Sequence, residues 1–189
     1  MPQELIEKQV IFEGKKVRLE VHHLRDDRSG RRSAREVVVH PGAVVVLPFV
    51  SKDRILLIRN RRYAINQTLV ELPAGTLEKN ENPMNCAGRE LLEETGYLAG
   101  RIQILGTFYT SPGILSEKMY AYAAYDLVEK EPALEEGEEI ELLSSTLDEA
   151  IAMIGRGEIA DGKTIATLMM YDRFHRSGQP DSDRIGVNL

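Results

Sequence analysis

The stretch GTLEKNENPMNCAGRELLEETGY, Gly75 to Tyr97, decides how this chain is read. Asn82-Pro83 supplies an N-cap and a proline for the first helical position, and Gly96 supplies a stop, so the spacing predicts a helix from Pro83 to Thr95. On a wheel of about 100° per residue, Glu90, Glu93 and Glu94 cluster on one arc. Met84, Ala87, Leu91 and Thr95 fall on the neighbouring arc, the one expected to pack on a sheet. Like charges four residues apart weaken an isolated helix by about a few tenths of a kcal/mol, so the cluster is not there for the helix. Arg89 can pair with Glu93, yet this does not neutralise the cluster. Spacing alone leaves two accounts: a solvated acidic face, or a site for a hard divalent cation, which prefers carboxylate oxygens.

Outward from this stretch, the chain divides into patterns. The first forty residues alternate as strands with turns at Glu13-Gly14 and around Asp26 to Arg32, which predicts an antiparallel meander. GAVVVLPFV and RILLIRN are continuous apolar runs of the kind buried on both faces of a central sheet. Pro73-Ala74-Gly75 is expected to break the strand ending at Leu72. Further strands are expected at RIQILGTFY, KMYAYAAYDLV and IELLS, with an acidic loop from Glu129 to Glu139, and two helices beginning near Asp148 and Lys163.

Composition sets the outer limits. The chain has 189 residues, 42% of them hydrophobic and 29% charged, which suits one domain with an accessory element and a real core. A net charge of −6 argues against nucleic-acid binding, and no run is long enough to span a membrane. The single cysteine, Cys86, forms no internal disulfide, and no N-terminal run has the apolar core of a signal peptide, so a cytoplasmic protein is expected.

Gly75, Glu81 and Arg89-Glu90-Leu91-Leu92-Glu93-Glu94-Thr95-Gly96 together resemble the Nudix box of the Nudix hydrolases, with all seven fixed residues at the family's spacing. Tyr97 departs from it, standing where the family more often has an aliphatic residue. The resemblance implies an α/β fold: a Nudix α/β/α sandwich with a mixed central sheet, plus an N-terminal antiparallel sheet. It implies that Glu90 and Glu94 ligate Mg²⁺ or Mn²⁺, that Glu93 is an additional ligand with a share in catalysis, and that the backbone carbonyl of Ala74 completes the metal shell. Arg89 would orient the carboxylates, and Gly75 would permit the loop.

ELPAG (Glu71 to Gly75), REVVVHPGAVVVLP (Arg35 to Pro48) and SPGILSE (Ser111 to Glu117), with Pro112 sixteen residues beyond Gly96, resemble the ADP-ribose pyrophosphatase branch. That resemblance implies hydrolysis of ADP-ribose to AMP and ribose 5-phosphate. Arg35, Arg62 and Glu71 would belong to the substrate site, and Glu117 would hold the distal ribose hydroxyls. The general base would come from the acidic loop EEGEEIEL, with Glu136 the first choice and Glu138 the second. Alternatives are another nucleoside diphosphate sugar such as GDP-mannose, or a non-catalytic ADP-ribose sensor. A homodimer through the N-terminal sheet is also implied, with Arg35 serving the partner's site. The expected division is residues 1–40 for that sheet, 41–178 for the Nudix domain and 179–189 for a tail.

Other features carry no chemistry. His22, His23, His40 and His175 lack metal-ligand spacing, Cys86 reads as a small helix residue, and Gly155 to Gly157 read as a helix stop.

Overall fold

The computed structural model describes residues 3–130 and 140–176. In chain order the elements are β1 (Gln3–Glu13), β2 (Arg18–Asp26), β3 (Arg32–Val39), β4 (Ala43–Ser51), β5 (Arg54–Arg62), β6 (Gln67–Glu71), β7 (Ala74–Thr76), α1 (Pro83–Thr95), β8 (Tyr97–Tyr109), β9 (Lys118–Glu129), β10 (Ile140–Ser145), α2 (Leu147–Gly155) and α3 (Gly162–Phe174). The predicted meander is the three-stranded antiparallel sheet β1-β2-β3. The second sheet is mixed, ordered β10-β5-β4-β9-β8, with β6 added beside β5 and β7 beside β4. Only β4 and β9 run parallel among its pairs.

The buried strand β4 shows why the sandwich has two faces. Successive side chains point to opposite sides of a sheet. Val44 and Val46 accordingly meet Cys86, Ala87 and Leu91 of α1. Val45, Leu47 and Phe49 instead join Leu147, Ala150 and Met153 of α2 and Leu168 of α3. A run that alternates between two apolar layers has no polar side to show, which is why GAVVVLPFV reads as continuous. Leu47 and Leu91 are fully buried, so truncating either to alanine should cost about 2–5 kcal/mol.

Helix α1 has the expected bounds. The Asn82 side chain accepts from the Met84 N–H at 2.9 Å, Pro83 occupies the first turn, and Gly96, at φ 73°, donates its N–H to Leu92 O at 2.8 Å. Its buried arc differs from the wheel. Met84 is 46% exposed, whereas Cys86 and Glu94 are buried with Ala87, Leu91 and Thr95. The packed face is turned towards Glu94 because the Ala74 N–H binds the Glu94 carboxylate on that side.

The segment after Leu72 also departs from expectation. Pro73 does interrupt the strand, but the chain re-pairs at once as β7, antiparallel to β4 through Ala43–Thr76, Val44–Gly75 and Val45–Ala74. Strands β4 and β5 are in register only near their connecting turn, at Phe49–Ile55 and Ser51–Arg54. Beyond that turn β4 takes β7 as its neighbour while β5 takes β6 and β10. This parting brings the Glu71-to-Gly75 corner to the head of β4. Strand β8 also begins earlier than expected, at Tyr97.

The first sheet leans on the second through β3. Val38 donates to Ile114 O at 2.8 Å and accepts from Ser116 N at 2.9 Å, so the 111–117 loop is clasped by β3. Strand β1 is exposed along its whole length, Phe12 by 56%. Among the described residues no helix is long and apolar enough to cross a membrane. Of the acidic loop expected from Glu129 to Glu139, Glu129 instead closes β9, and residues 131–139, with Glu136 and Glu138, lie outside the described residues, as does the tail at 179–189.

Candidate active site

One guanidinium organises the acidic arc of α1. Arg89 grips Glu81 through both edges of its fork, Nε to Oε1 and Nη2 to Oε2, each at 3.0 Å. Its Nη1 donates to Glu90 at 2.8 Å and to Glu93 at 2.9 Å. A planar fork can serve three carboxylates in this way, which an ammonium cannot do with fixed geometry. Hydrogen bonding from Arg89 pulls the Glu81 carboxyl down to about 2 and raises the Arg89 guanidinium further above its ordinary range. The nearby Cys86 thiol is pushed up by burial, which leaves it protonated and unreactive.

Glu94 is treated differently. It is buried, and its Oε2 accepts from the Ala74 backbone N–H at 2.8 Å. Gly75 lies against Glu90 so closely that a Cβ there would stand 1.8 Å from the Glu90 carboxyl carbon. Glycine at 75 is therefore the condition for the turn and the carboxylate to share this space. Among the described residues no three His, Cys, Asp or Glu side chains converge as metal ligands, since Arg89 draws Glu81, Glu90 and Glu93 onto itself. The donor chemistry nevertheless fits a hard divalent cation: the Glu90 and Glu94 carboxylates crowd against the Ala74-Gly75 backbone.

On the other side of Ala74-Gly75 opens a cavity of about 490 Å³, lined by Arg62, Ala74, Gly75, Glu117, Asp161 and Lys163 among others. Glu71 is fully buried behind this wall. It receives Arg62 bidentately, Nε at 2.8 Å and Nη2 at 2.5 Å, together with Lys163 Nζ. Lys163 Nζ also lies 2.9 Å from Asp161 Oδ1. The hydrogen bonds to Glu71 raise the Arg62 pKa above its ordinary value, with Asp161 and Glu94 adding smaller attractions. Arg62 thus senses both the α1 cluster and its own.

Glu117 enters the cavity from the 111–117 loop. Its Oε2 accepts from Thr110 Oγ1 at 2.7 Å, and its Oε1 lies 3.5 Å from His40 Nδ1. That imidazole nitrogen already accepts from the Gly42 N–H at 3.1 Å, so the ring proton sits on Nε2 and the contact is not an ion pair while His40 is neutral. Burial, opposed by Glu117, holds the His40 pKa below its usual value.

The structure thus brings Arg62, Ala74 and Glu117 to one cavity, places Glu90 and Glu94 directly behind Ala74-Gly75, and sets Glu71 behind the wall rather than on it. Arg35 does not join them. It is exposed on β3 opposite His22, donates to Ala34 O at 3.0 Å, and lines no part of this cavity. In the sequence Lys163 marks only a helix start, and Asp161 carries no signal of its own. Asp161 is indeed the N-cap of α3, accepting from Thr164 N at 2.9 Å, but the pairing of Lys163 with Glu71 joins residues too far apart in sequence for any local pattern to reveal.

The NUDIX domain profile matches residues 39–168. The ADP-ribose pyrophosphatase of Bacillus subtilis (strain 168) is 39% identical over 166 residues, 87% of this chain and 89% of its own length. The methanol dehydrogenase activator of Bacillus methanolicus is 40% identical over 165 residues, 86% of this chain and 89% of its own. A GDP-mannose pyrophosphatase of Citrobacter koseri is 38% identical over 136 residues, 67% of this chain and 71% of its own. The crystal structure of an ADP compounds hydrolase superposes with a TM-score of 0.81 at 20% identity, covering 91% of this chain and 93% of that one.

Proposed function

The chain belongs to the Nudix hydrolases, and on that premise we propose that it cleaves the diphosphate of ADP-ribose to AMP and ribose 5-phosphate. One observation supports this above others: crowded carboxylates and a fixed pair of cationic side chains stand on either side of the same Ala74-Gly75 turn. The first arrangement suits metal ions, and the second suits phosphate oxygens.

Glu90, Glu93 and Glu94, with the Ala74 carbonyl, would hold Mg²⁺ or Mn²⁺. Once bound, such an ion polarises the bridging phosphates, lowers the pKa of water and stabilises charge on the leaving oxygen. Arg89 keeps Glu90 and Glu93 oriented, and Arg62 presents its unused N–H groups to the substrate's phosphates. Glu117, held by Thr110, accepts from ribose hydroxyls. Glu136, or failing it Glu138, takes the proton from the attacking water.

Leu5, Val10 and Phe12 of β1 are exposed apolar side chains. A second copy of the chain would cover them and could carry Arg35 to the partner's site, and a monomer by light scattering would end that reading. A cytoplasmic location accords with the single reduced thiol and these small soluble substrates.

The test is an assay of nucleoside diphosphate sugars with Mg²⁺, scored by nucleotide release. ADP-ribose should rank first. GDP-mannose ahead of it would move the assignment to the relative of that name, and binding without AMP release would make the protein a sensor. The same assay on E136Q and E138Q identifies the base by which of the two loses rate.

A further inference from the structure

Lys163 and Glu71 have an arrangement that the proposed reaction does not yet use. Glu71 is a fully buried carboxylate, and such a group is tolerated only when its charge is matched and its lone pairs are filled. Three charge-assisted hydrogen bonds do this: two from Arg62 and one from Lys163. Both cations also line the cavity, with the Arg62 side chain 38% exposed and that of Lys163 15% exposed.

Counting donors shows what remains. An ammonium has three N–H groups. Lys163 directs one at Glu71 and one at Asp161, which leaves a third. A guanidinium has five, and Arg62 spends Nε and one Nη2 hydrogen on Glu71, so the Nη1 side is left. Neither side chain can drift. Asp161 is fixed as the α3 N-cap by Thr164 N at 2.9 Å and Thr164 Oγ1 at 2.6 Å, and Thr164 Oγ1 in turn accepts from Leu72 N at 2.9 Å. The residue after Glu71 and the first turn of α3 are thus joined, and the two cations are set at a fixed spacing on one wall.

We infer that Lys163 is a second contact for the diphosphate of the nucleotide sugar, and that Glu71 is a positioning residue that presents Lys163 and Arg62 together. This rests on the substrate class proposed above. Charge alone does not attract the ligand, because Glu71 and Asp161 balance the two cations. Spare donors on two cavity-lining side chains do, and the bonds to Glu71 and Asp161 immobilise those side chains before the ligand arrives. The wall offers a fork and a point donor side by side, which matches two adjacent phosphoryl groups better than it matches a single carboxylate.

Wild type, K163M and K163R are to be compared by steady-state kinetics with ADP-ribose and Mg²⁺, by calorimetry of ADP-ribose in chelator, and by thermal melting. K163M should raise KM and weaken metal-free binding by about tenfold or more while kcat changes far less, and K163R should restore most of the loss. Wild-type KM and affinity in K163M would overturn the inference. So would a loss that K163R leaves unrepaired, since that is the mark of a merely structural lysine. Should K163M fail to fold, K163Q carries the same comparison, because its amide still donates to Glu71. If wild type itself neither binds nor cleaves any nucleoside diphosphate sugar, the substrate reading fails instead.

Discussion

Two charge clusters face each other across the Ala74-Gly75 turn, and they are built to opposite rules. On the α1 side Arg89 bonds to Glu81, Glu90 and Glu93, while Glu94 accepts from the Ala74 N–H and is attracted by Arg62. On the α3 side Glu71 and Asp161 are matched by Arg62 and Lys163. The first is left strongly anionic, whereas the second is balanced and fully knitted. An unbalanced cluster at a helix rim destabilises the ion-free protein and becomes favourable when a cation enters. A balanced cluster is already stable and has only donor directions to offer. Charge imbalance, more than the number of charged residues, is therefore what would separate the proposed metal site from the proposed phosphate wall.

The contrast is broken most directly by making the same isosteric change on both sides. E94Q keeps an acceptor for the Ala74 N–H but removes a negative charge from the crowded side. It should cut turnover by at least about a hundredfold, abolish the rise in melting temperature caused by Mg²⁺, and leave melting in chelator unchanged or higher. E71Q removes the buried carboxylate that Arg62 and Lys163 share by hydrogen bonds. It should destabilise the fold by about 3 kcal/mol, less than a fully buried pair would cost because Arg62 is partly exposed, while the Mg²⁺-dependent rise in melting temperature persists. Equal responses of the two variants to Mg²⁺ would erase the distinction between the two clusters.

A smaller effect is expected at the turn itself. G75A places a methyl against the end of a flexible Glu90 side chain and not against backbone, so the fold can absorb it by moving that carboxylate. Melting in chelator should change little, and Mg²⁺ affinity by calorimetry should fall by roughly tenfold, in line with disturbing the support of a ligand. Unaltered affinity would mean that Glu90 is not held where the ion binds.

Much of the α1 side was legible in the sequence because its determinants are local. Cap, proline, glycine stop and the three-glutamate arc lie within one helix and its loop, and periodicity places them. The wheel missed only the turning of the packed face towards Glu94, which depends on a backbone N–H twenty residues earlier. The α3 side was scarcely legible. Val70-Glu71-Leu72 gives no sign that the carboxylate is buried, and Asp161-Gly162-Lys163-Thr164 looks like any helix start. Only the parting of β4 from β5, with β7 filling in beside β4, brings these segments together. Arg35 illustrates the same limit, since a residue on a separate sheet cannot be placed against a site by sequence neighbours. The apolar runs at β4 and β5 were easy to read because strands covered on both faces have no polar period to confuse.

The finest measure of the anionic side is Glu81, which is not expected to ligate metal but completes the hold on Arg89. Its carboxyl titrates at about 2 in the folded protein against an ordinary value of 4.5, chiefly because Arg89 donates to both of its oxygens. A folded pKa below the unfolded one means that the folded state binds this proton less readily than the unfolded state does. The stabilisation is therefore complete above about pH 4.5 and is lost as the pH falls towards about 2. E81Q has no such dependence at this position. Urea unfolding of the two proteins should show wild type more stable by a constant margin near neutrality, with the margin narrowing through that acid window. Mg²⁺ should lessen the cost of E81Q, because an ion among Glu90, Glu93 and Glu94 relieves the repulsion that Arg89 then contains with one partner fewer. A margin that stays constant down to pH 2 would show that Arg89 gains nothing from the ionised form of Glu81.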